Sequence, residues 1–260
     1  MAAITPILEI RDVVKDFTPK GKVIRAVDGV SLSLAQGEFV SIVGPSGCGK
    51  STVLRMVAGL TGATSGEISL RGTHIAGPRP EVGIMFQSPV LLPWRSVLKN
   101  VLLPSETQRL GGDPRREAME LLEVAGLAGF ENHYPSELSG GMQQRVAMCR
   151  TLLRQPDLLL LDEPFGALDS ITREILNDEL LRIARLRDMT VLLITHSIDE
   201  AVYLSDRVVL MSSRPGKVTG EWAIDMPTER SLETRELPAF GRYASDIRES
   251  LGIAHRGDDH

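Results

Sequence analysis

Apolar and polar positions alternate through the first forty residues: Leu8, Ile10 and Val13, then Val23 to Val27, then Val30, Leu32 and Leu34, with Gly21 and Gln36-Gly37 as punctuation. A period of two predicts short, half-buried antiparallel strands. Phe39 to Val43 is a β-rich run ending at Gly44, and Thr52 to Ala58 places apolar residues at helical spacing, so strand, glycine-rich loop and helix follow in order. Glu67 to Leu70 and Val82 to Phe86 predict further strands. From Ser88 to about Gln155 the pattern is helical and interrupted. It predicts helices over Ser96 to Leu103 and Pro114 to Val124, the second entered through the loop Gly111-Gly112-Asp113-Pro114. After Pro156, short apolar runs at Leu158 to Leu161, Thr190 to Thr195 and Arg207 to Met211 alternate with helical stretches such as Arg173 to Arg187, the pattern of a buried parallel sheet. Beyond Met226 the chain is polar, with scattered prolines and no readable chemistry. The predicted class is α/β in a single domain, residues 1–260. It has a mainly parallel core sheet, an N-terminal antiparallel β subdomain, a helical subdomain inserted at about 88–155 and a C-terminal tail from about 227 to 260.

Composition narrows the function classes. A chain of 260 residues can bury one sizeable core. Its net charge of −5 supplies no basic field, which argues against nucleic acid as a partner. No apolar stretch approaches the 18 or so residues of a membrane span, and Met1 to Ile10 lacks a charged segment followed by a long apolar one, so the chain is expected to be cytoplasmic. Cys48 and Cys149 form no Cys-x-x-Cys pattern, and neither a disulfide framework nor a zinc site is indicated.

The chemistry concentrates in four places. Gly44-Pro45-Ser46-Gly47-Cys48-Gly49-Lys50-Ser51 fits G-x-x-x-x-G-K-[ST] with a strand before and a helix after, the context of a phosphate-binding P-loop. Its glycines let backbone N–H groups turn toward phosphate oxygens. Lys50 is then expected at the β- and γ-phosphates of ATP, Ser51 on Mg²⁺, and Thr52 at the α-phosphate. Cys48, near a helix start, is expected to be alkylated in competition with ATP. The leucines Leu158 to Leu161 deliver Asp162 and Glu163 to a strand's carboxyl end, where doubly wound sheets bind ligands. Asp162 fits a magnesium-associated carboxylate and Glu163 a general base for the attacking water. At Thr195-His196 a third apolar strand ends in an ionisable group, a candidate γ-phosphate contact. Finally, Leu138-Ser139-Gly140-Gly141-Met142-Gln143-Gln144-Arg145 sets a second glycine pair at a helix start, where backbone N–H groups can meet another phosphate. That pairing points to ATP held between two subunits.

With these motifs in order over nearly its whole length, the chain resembles the ATP-binding subunits of ABC transporters. The resemblance implies a P-loop at Gly44 to Thr52, a Q-loop at Gln87 that contributes to catalysis and the metal, and a signature at Leu138 to Gln143. It also implies an acidic strand ending at Asp162 and Glu163, a D-loop at Ala167-Leu168-Asp169, and a switch histidine at His196. Ser139, Gly140 and Gly141 would then contact the γ-phosphate of ATP on the opposite subunit, with two chains enclosing two ATP molecules. Met142 stands where the family commonly has glutamine, with Gln143 following. Phe17 stands near the usual adenine-stacking tyrosine, where it would either stack on the base or pack in the core.

Leu91-Leu92-Pro93-Trp94-Arg95-Ser96-Val97, Tyr134-Pro135-Ser136-Glu137, Pro164-Phe165-Gly166-Ala167-Leu168-Asp169 and Ser213-Arg214-Pro215-Gly216 resemble importers of the nitrate, sulfonate and taurine type. This implies transmembrane permease partners, an indirect solute-binding protein and a peripheral location on the cytoplasmic face of the membrane. Trp94 and Arg95 would face a permease helix, or else be a locally packed tryptophan and a solvated arginine. The rival classes are an exporter or lipid-transport ATPase, an ABC ATPase acting on nucleic acid or ribosomes, and a small-molecule kinase. The last leaves Gly140-Gly141 without a purpose.

Overall fold

A computed structural model describes residues 6–107, 111–166 and 168–256. The chain divides into two compact units, Met1–Arg79 with Ala184–His260, and Pro80–Ile183. The first opens with β1 (Leu8–Phe17), β2 (Ile24–Leu34), β3 (Phe39–Val43), α1 (Lys50–Val57), β4 (Ser65–Leu70) and β5 (Thr73–His74). β1 pairs antiparallel with β2 on one side and β4 on the other, and β5 extends β4. The alternating residues Leu8, Ile10, Val13, Val30, Leu32 and Leu34 all turn inward and are buried. Where the pattern predicts two strands over Val23 to Leu34, the structure has one. Gly29 takes φ 69°, and the register slips between Val30 and Val27, so a bulge absorbs the interruption without ending the strand.

The second unit contains β6 (Val82–Met85), α2 (Val97–Val101), α3 (Leu103–Thr107), α4 (Pro114–Val124), α5 (Gly140–Leu152) and β7 (Leu158–Asp162), and α6 (Ser170–Leu186) begins in it. β6 and β7 run parallel, Val82 beside Leu158 and Met85 beside Leu161. The single helix expected over Ser96 to Leu103 is broken at Leu102. Pro104, with no N–H and a bias against helix in the residue before it, accounts for the break. α4 spans the residues predicted, started by Asp113, whose carboxylate accepts from the N–H groups of Arg115 and Arg116 at 3.1 and 3.2 Å.

The chain then returns to the first unit through β8 (Thr190–Ile194), α7 (Ile198–Leu204), β9 (Arg207–Met211), β10 (Val218–Ala223) and α8 (Pro238–Arg256). β3 lies between β8 and β9, parallel to both, with β10 antiparallel on β9. Every residue of β3 and β8 is buried, as expected of parallel strands covered on both faces. The register pairs Ile42 with Ile194, so Gly44 and His196 leave the sheet at the same, carboxyl-terminal end, each two residues beyond that pair. The tail is not structureless: α8 buries Phe240, Ala244 and Ile247, a helical spacing thinly marked among polar neighbours.

Candidate active site

In the first unit the P-loop is shaped by its backbone. Gly44, Gly47 and Gly49 adopt φ of 157°, 75° and 107°. A Cβ at Gly44 would lie 2.5 Å from the Met211 carbonyl, and one at Gly49 would lie 2.7 Å from that of Ala26. Glycine is required at both by conformation and by space. Lys50, only 6% exposed, donates through Nζ to the carbonyls of Gly44 at 2.7 Å and Pro45 at 2.9 Å, with Cys48 Sγ at 3.8 Å. The ammonium thus sits over the loop, while Ser51 and Thr52 are half-buried in the first turn of α1. Pro45 is half-buried and Ser46 exposed. Cys48 is 1% exposed, which corrects the expectation of ready alkylation: the thiol is packed under the loop, and a reagent needs the loop to open.

A second loop braces the first. Gly216 donates to Ala26 at 3.0 Å, and a Cβ there would sit 2.1 Å from the Cys48 carbonyl. Arg214 donates to the Gly47 carbonyl at 3.3 Å. In the sequence these residues marked only a subgroup, yet they form the wall of the P-loop. At the end of β8, His196 is exposed within a tight turn. Thr195 accepts the Ser197 N–H at 3.0 Å and donates its own hydroxyl to the Glu200 carboxylate, while Ser197 Oγ caps α7 by accepting the Glu200 N–H at 3.2 Å. Phe17 is 42% exposed, so core packing is set aside, and Lys15 Nζ lies over one face of its ring, 5.2 Å from the centre.

The second unit assembles its groups through side chains. β7 ends at Asp162, which is buried, and Glu163 follows with φ 46°, a conformation that costs a non-glycine residue about 1–3 kcal/mol. Gln87 Nε2 approaches Glu163 Oε2 at 3.4 Å. Gln144, 4% exposed and assigned no role from the sequence, shares its two amide protons among the carbonyls of Phe86, Gln87 and Pro164, the first two at 3.3 Å. It therefore ties the signature helix to the Q-loop and to the turn that carries Glu163. Arg173 performs a similar service for the D-loop, donating to Phe165 at 3.2 Å, Gly166 at 3.4 Å and Leu168 at 2.7 Å. Ala167 lies outside the described residues. Asp169 Oδ1 accepts the Thr172 N–H at 2.9 Å, and this backbone hydrogen bond holds its carboxyl below the ordinary range.

Ser139 caps α5, accepting the Met142 N–H at 3.3 Å, and leaves itself and Gly140 exposed. Gln143 directs Nε2 inward, to Pro135 at 2.9 Å and Leu138 at 3.3 Å, bracing the loop ahead of the signature. Ser139, Gly140, Gly141, Gln143, Gln87 and Asp169 line one cavity of about 420 Å³. In α2, Asn100 is fully buried; it donates to Leu92, Arg95 and Ser96 and accepts from Leu92, so one amide organises the Trp94 loop. Trp94 stands 71% exposed, while Arg95, half-buried, pairs with Glu106 at 2.6 Å.

Comparison with known proteins decides the family: the model of the ABC transporter family matches residues 27–166. The chain belongs to the ABC transporter ATP-binding family. It is 46% identical over 244 residues to an uncharacterized ABC transporter ATP-binding protein of Methanocaldococcus jannaschii, covering 92% of this chain and 90% of that one. An aliphatic sulfonates import ATP-binding protein of Bacillus licheniformis shares 46% over 211 residues, 81% of each chain. A nitrate import ATP-binding protein of Synechococcus elongatus shares 43% over 246 residues, 94% of this chain and 89% of its own. Among solved structures, a dimeric bacterial ABC transporter cassette superposes with TM-score 0.75 at 33% identity, covering 86% of this chain and all of the other. A post-hydrolysis state of a cassette with ADP and Pi matches at TM-score 0.74. The ABC ATPase fold and an ATP-binding, ATP-hydrolysing activity are therefore established for this chain. Among the described residues no helix is long and apolar enough to cross a membrane.

Proposed function

We propose that this chain energises import of a small solute such as a sulfonate, nitrate or taurine, by hydrolysing ATP as one of two copies docked on separate permease subunits at the cytoplasmic face of the membrane. The observation that carries the reading is identity of 46% and 43% to sulfonate and nitrate import subunits over most of the chain. A solute-binding protein would deliver the solute to the permease, and nucleic acid has no part. The domain is read as one ATPase unit. Its helical segment at about 88–155 carries the signature, and the exposed Trp94, on a loop stiffened by Asn100, is the permease contact.

The residue roles follow from donor chemistry. Lys50 and the loop N–H groups from Gly44 to Gly49 neutralise the phosphates, Thr52 meets the α-phosphate and Phe17 stacks on adenine. Mg²⁺ demands oxygen ligands and is usually held by one or two carboxylates together with substrate phosphates and waters. Ser51, Asp162 and Gln87 offer a hydroxyl, a buried carboxylate and an amide oxygen, which fit it. When bound, the ion supplies charge neutralisation at the phosphates. Glu163 takes the proton of a water attacking the γ-phosphorus as the bond to ADP breaks, Gln87 orients Glu163, and His196 holds the γ-phosphate. Ser139, Gly140, Gly141, Gln143 and Asp169 serve the nucleotide of the second copy.

The test is affinity capture of tagged Glu163→Gln chain from detergent-solubilised native membranes with Mg²⁺-ATP. We expect ATP binding to persist, turnover to fall about 10²–10⁴-fold, and a multi-span permease to be recovered. Turnover at the original rate removes Glu163 as the base. Capture of ribosomal or DNA-associated proteins without a membrane partner overturns the transport reading.

A further inference from the structure

The tail beyond Met226 packs onto α7, the helix that begins two residues after His196. Arg230 donates Nη1 to the carbonyls of Val202 at 2.8 Å and Tyr203 at 2.6 Å, and Nη2 to Ser205 at 2.9 Å. These are carbonyls that the end of a helix leaves without an intrahelical partner. Arg235 stacks its guanidinium 4.3 Å from the centre of the fully buried Tyr203 ring. Near the other end of the same helix, Arg248 of α8 pairs with Asp199 at 2.6 Å. α8 reinforces the arrangement by burying Phe240, Ala244 and Ile247, and Tyr243 accepts the Asp225 N–H at 3.2 Å.

α7 in turn is fastened to the histidine turn. Its buried Glu200 accepts the Thr195 hydroxyl, Ser197 caps its first turn, and the Thr195 N–H reaches back to Ile42 of β3 at 3.3 Å. A seven-residue helix is only about 10 Å long, so a restraint at its carboxyl end reaches its amino end without passing through a flexible joint.

We propose that residues 227–256 are a positioning brace for His196, with Arg230 as its principal positioning residue: the tail fixes α7, and α7 fixes the turn that presents the imidazole. This rests on the reading of His196 as the γ-phosphate contact. The brace adds to the sheet's hold on Thr195 a second backing, from the carboxyl end of α7.

The experiment compares Arg230→Ala, Arg248→Ala and His196→Ala in the full chain, measuring steady-state ATPase, the amount of ATP bound per chain at saturation, and hydrogen exchange of the amides in the first turn of α7. For Arg230→Ala we expect unchanged ATP-binding stoichiometry, KM within about twofold, kcat lower by about ten- to a hundredfold, and faster exchange at Ser197 to Ala201. Arg248→Ala, which removes an exposed pair and leaves the fold intact, should lower kcat by a few-fold in the same pattern. Wild-type kcat in both variants overturns the brace, as does a fall in kcat no larger than the loss of ATP-binding sites, which is the signature of a merely destabilised chain. His196→Ala separates the two readings. If it turns over ATP at the wild-type rate, the γ-phosphate role falls; if it is inactive while both arginine variants are normal, only the brace falls.

Discussion

The loop after β3 and the turn after β7 each leave the carboxyl end of a parallel strand and carry the residues proposed for phosphate chemistry, yet they are held by opposite means. The first is shaped by what is absent: at Gly44 and Gly49 a single Cβ would enter a backbone carbonyl, and both residues hold φ values that other residues avoid. The second is shaped by what is present. Glu163 sits in a strained conformation that no glycine relieves, and the turn is clamped by the buried amide of Gln144 and the guanidinium of Arg173. A steric template should fail all at once when filled, whereas a hydrogen-bonded template should loosen and misplace its catalytic group while leaving the nucleotide bound.

Gly49→Ala attacks the first template and carries the largest expected effect. Its Cβ meets the Ala26 carbonyl at 2.7 Å in a left-handed conformation. If strain of about 3 kcal/mol falls on the loop, ATP affinity drops roughly a hundredfold, measured as Kd by calorimetry on a variant whose thermal unfolding is still cooperative. An unchanged Kd would mean that the loop relaxes without cost and that the steric description is wrong. Gln144→Leu attacks the second template. It keeps approximate volume but removes the amide donor shared by three carbonyls, at a cost of about 1–3 kcal/mol for each that stays buried without a donor. Here the expected order inverts: kcat falls about tenfold or more while the Kd for ATP stays within about twofold. Equal losses in both quantities would erase the distinction between the two regions.

The same contrast explains which parts were legible in the sequence. The P-loop could be read because its geometry is local: glycines at fixed spacing encode the backbone within eight consecutive residues. The buried strands Leu158 to Asp162 and Thr190 to Ile194 were legible because hydrophobic runs of that length have few alternatives in an α/β pattern. Gln144 was not, since its partners lie 58, 57 and 20 residues away and nothing in a glutamine beside another glutamine says which one turns inward. Gln143, adjacent to it, carried the family resemblance, and its Nε2 braces the loop before the signature. Arg230 and α8 were hidden for a related reason: three small or isolated apolar residues, Phe240, Ala244 and Ile247, give a helix face too thin to stand out before its partner α7 is known.

The smallest effect tests the one place where the second region uses a local device. Asp169 caps α6 through Thr172, three residues on, a spacing readable from sequence, and its carboxyl is held low first by that backbone N–H. A carboxyl whose folded pKa is depressed contributes stability that is complete above its unfolded value and is lost as pH falls through the folded one. From the ordinary value of 3.8, the difference in melting temperature between wild type and Asp169→Asn should stay constant from about pH 8 to pH 5 and shrink only below about pH 4. Asparagine keeps the capping oxygen, so the constant part should be small. A difference that began to shrink near pH 6 would place the responsible group elsewhere than Asp169. A flat difference down to pH 3 would show that the cap's charge is idle. In that case even the local contact in the second region works by shape, as the P-loop does, and the contrast between the regions would rest on Gln144 and Arg173 alone.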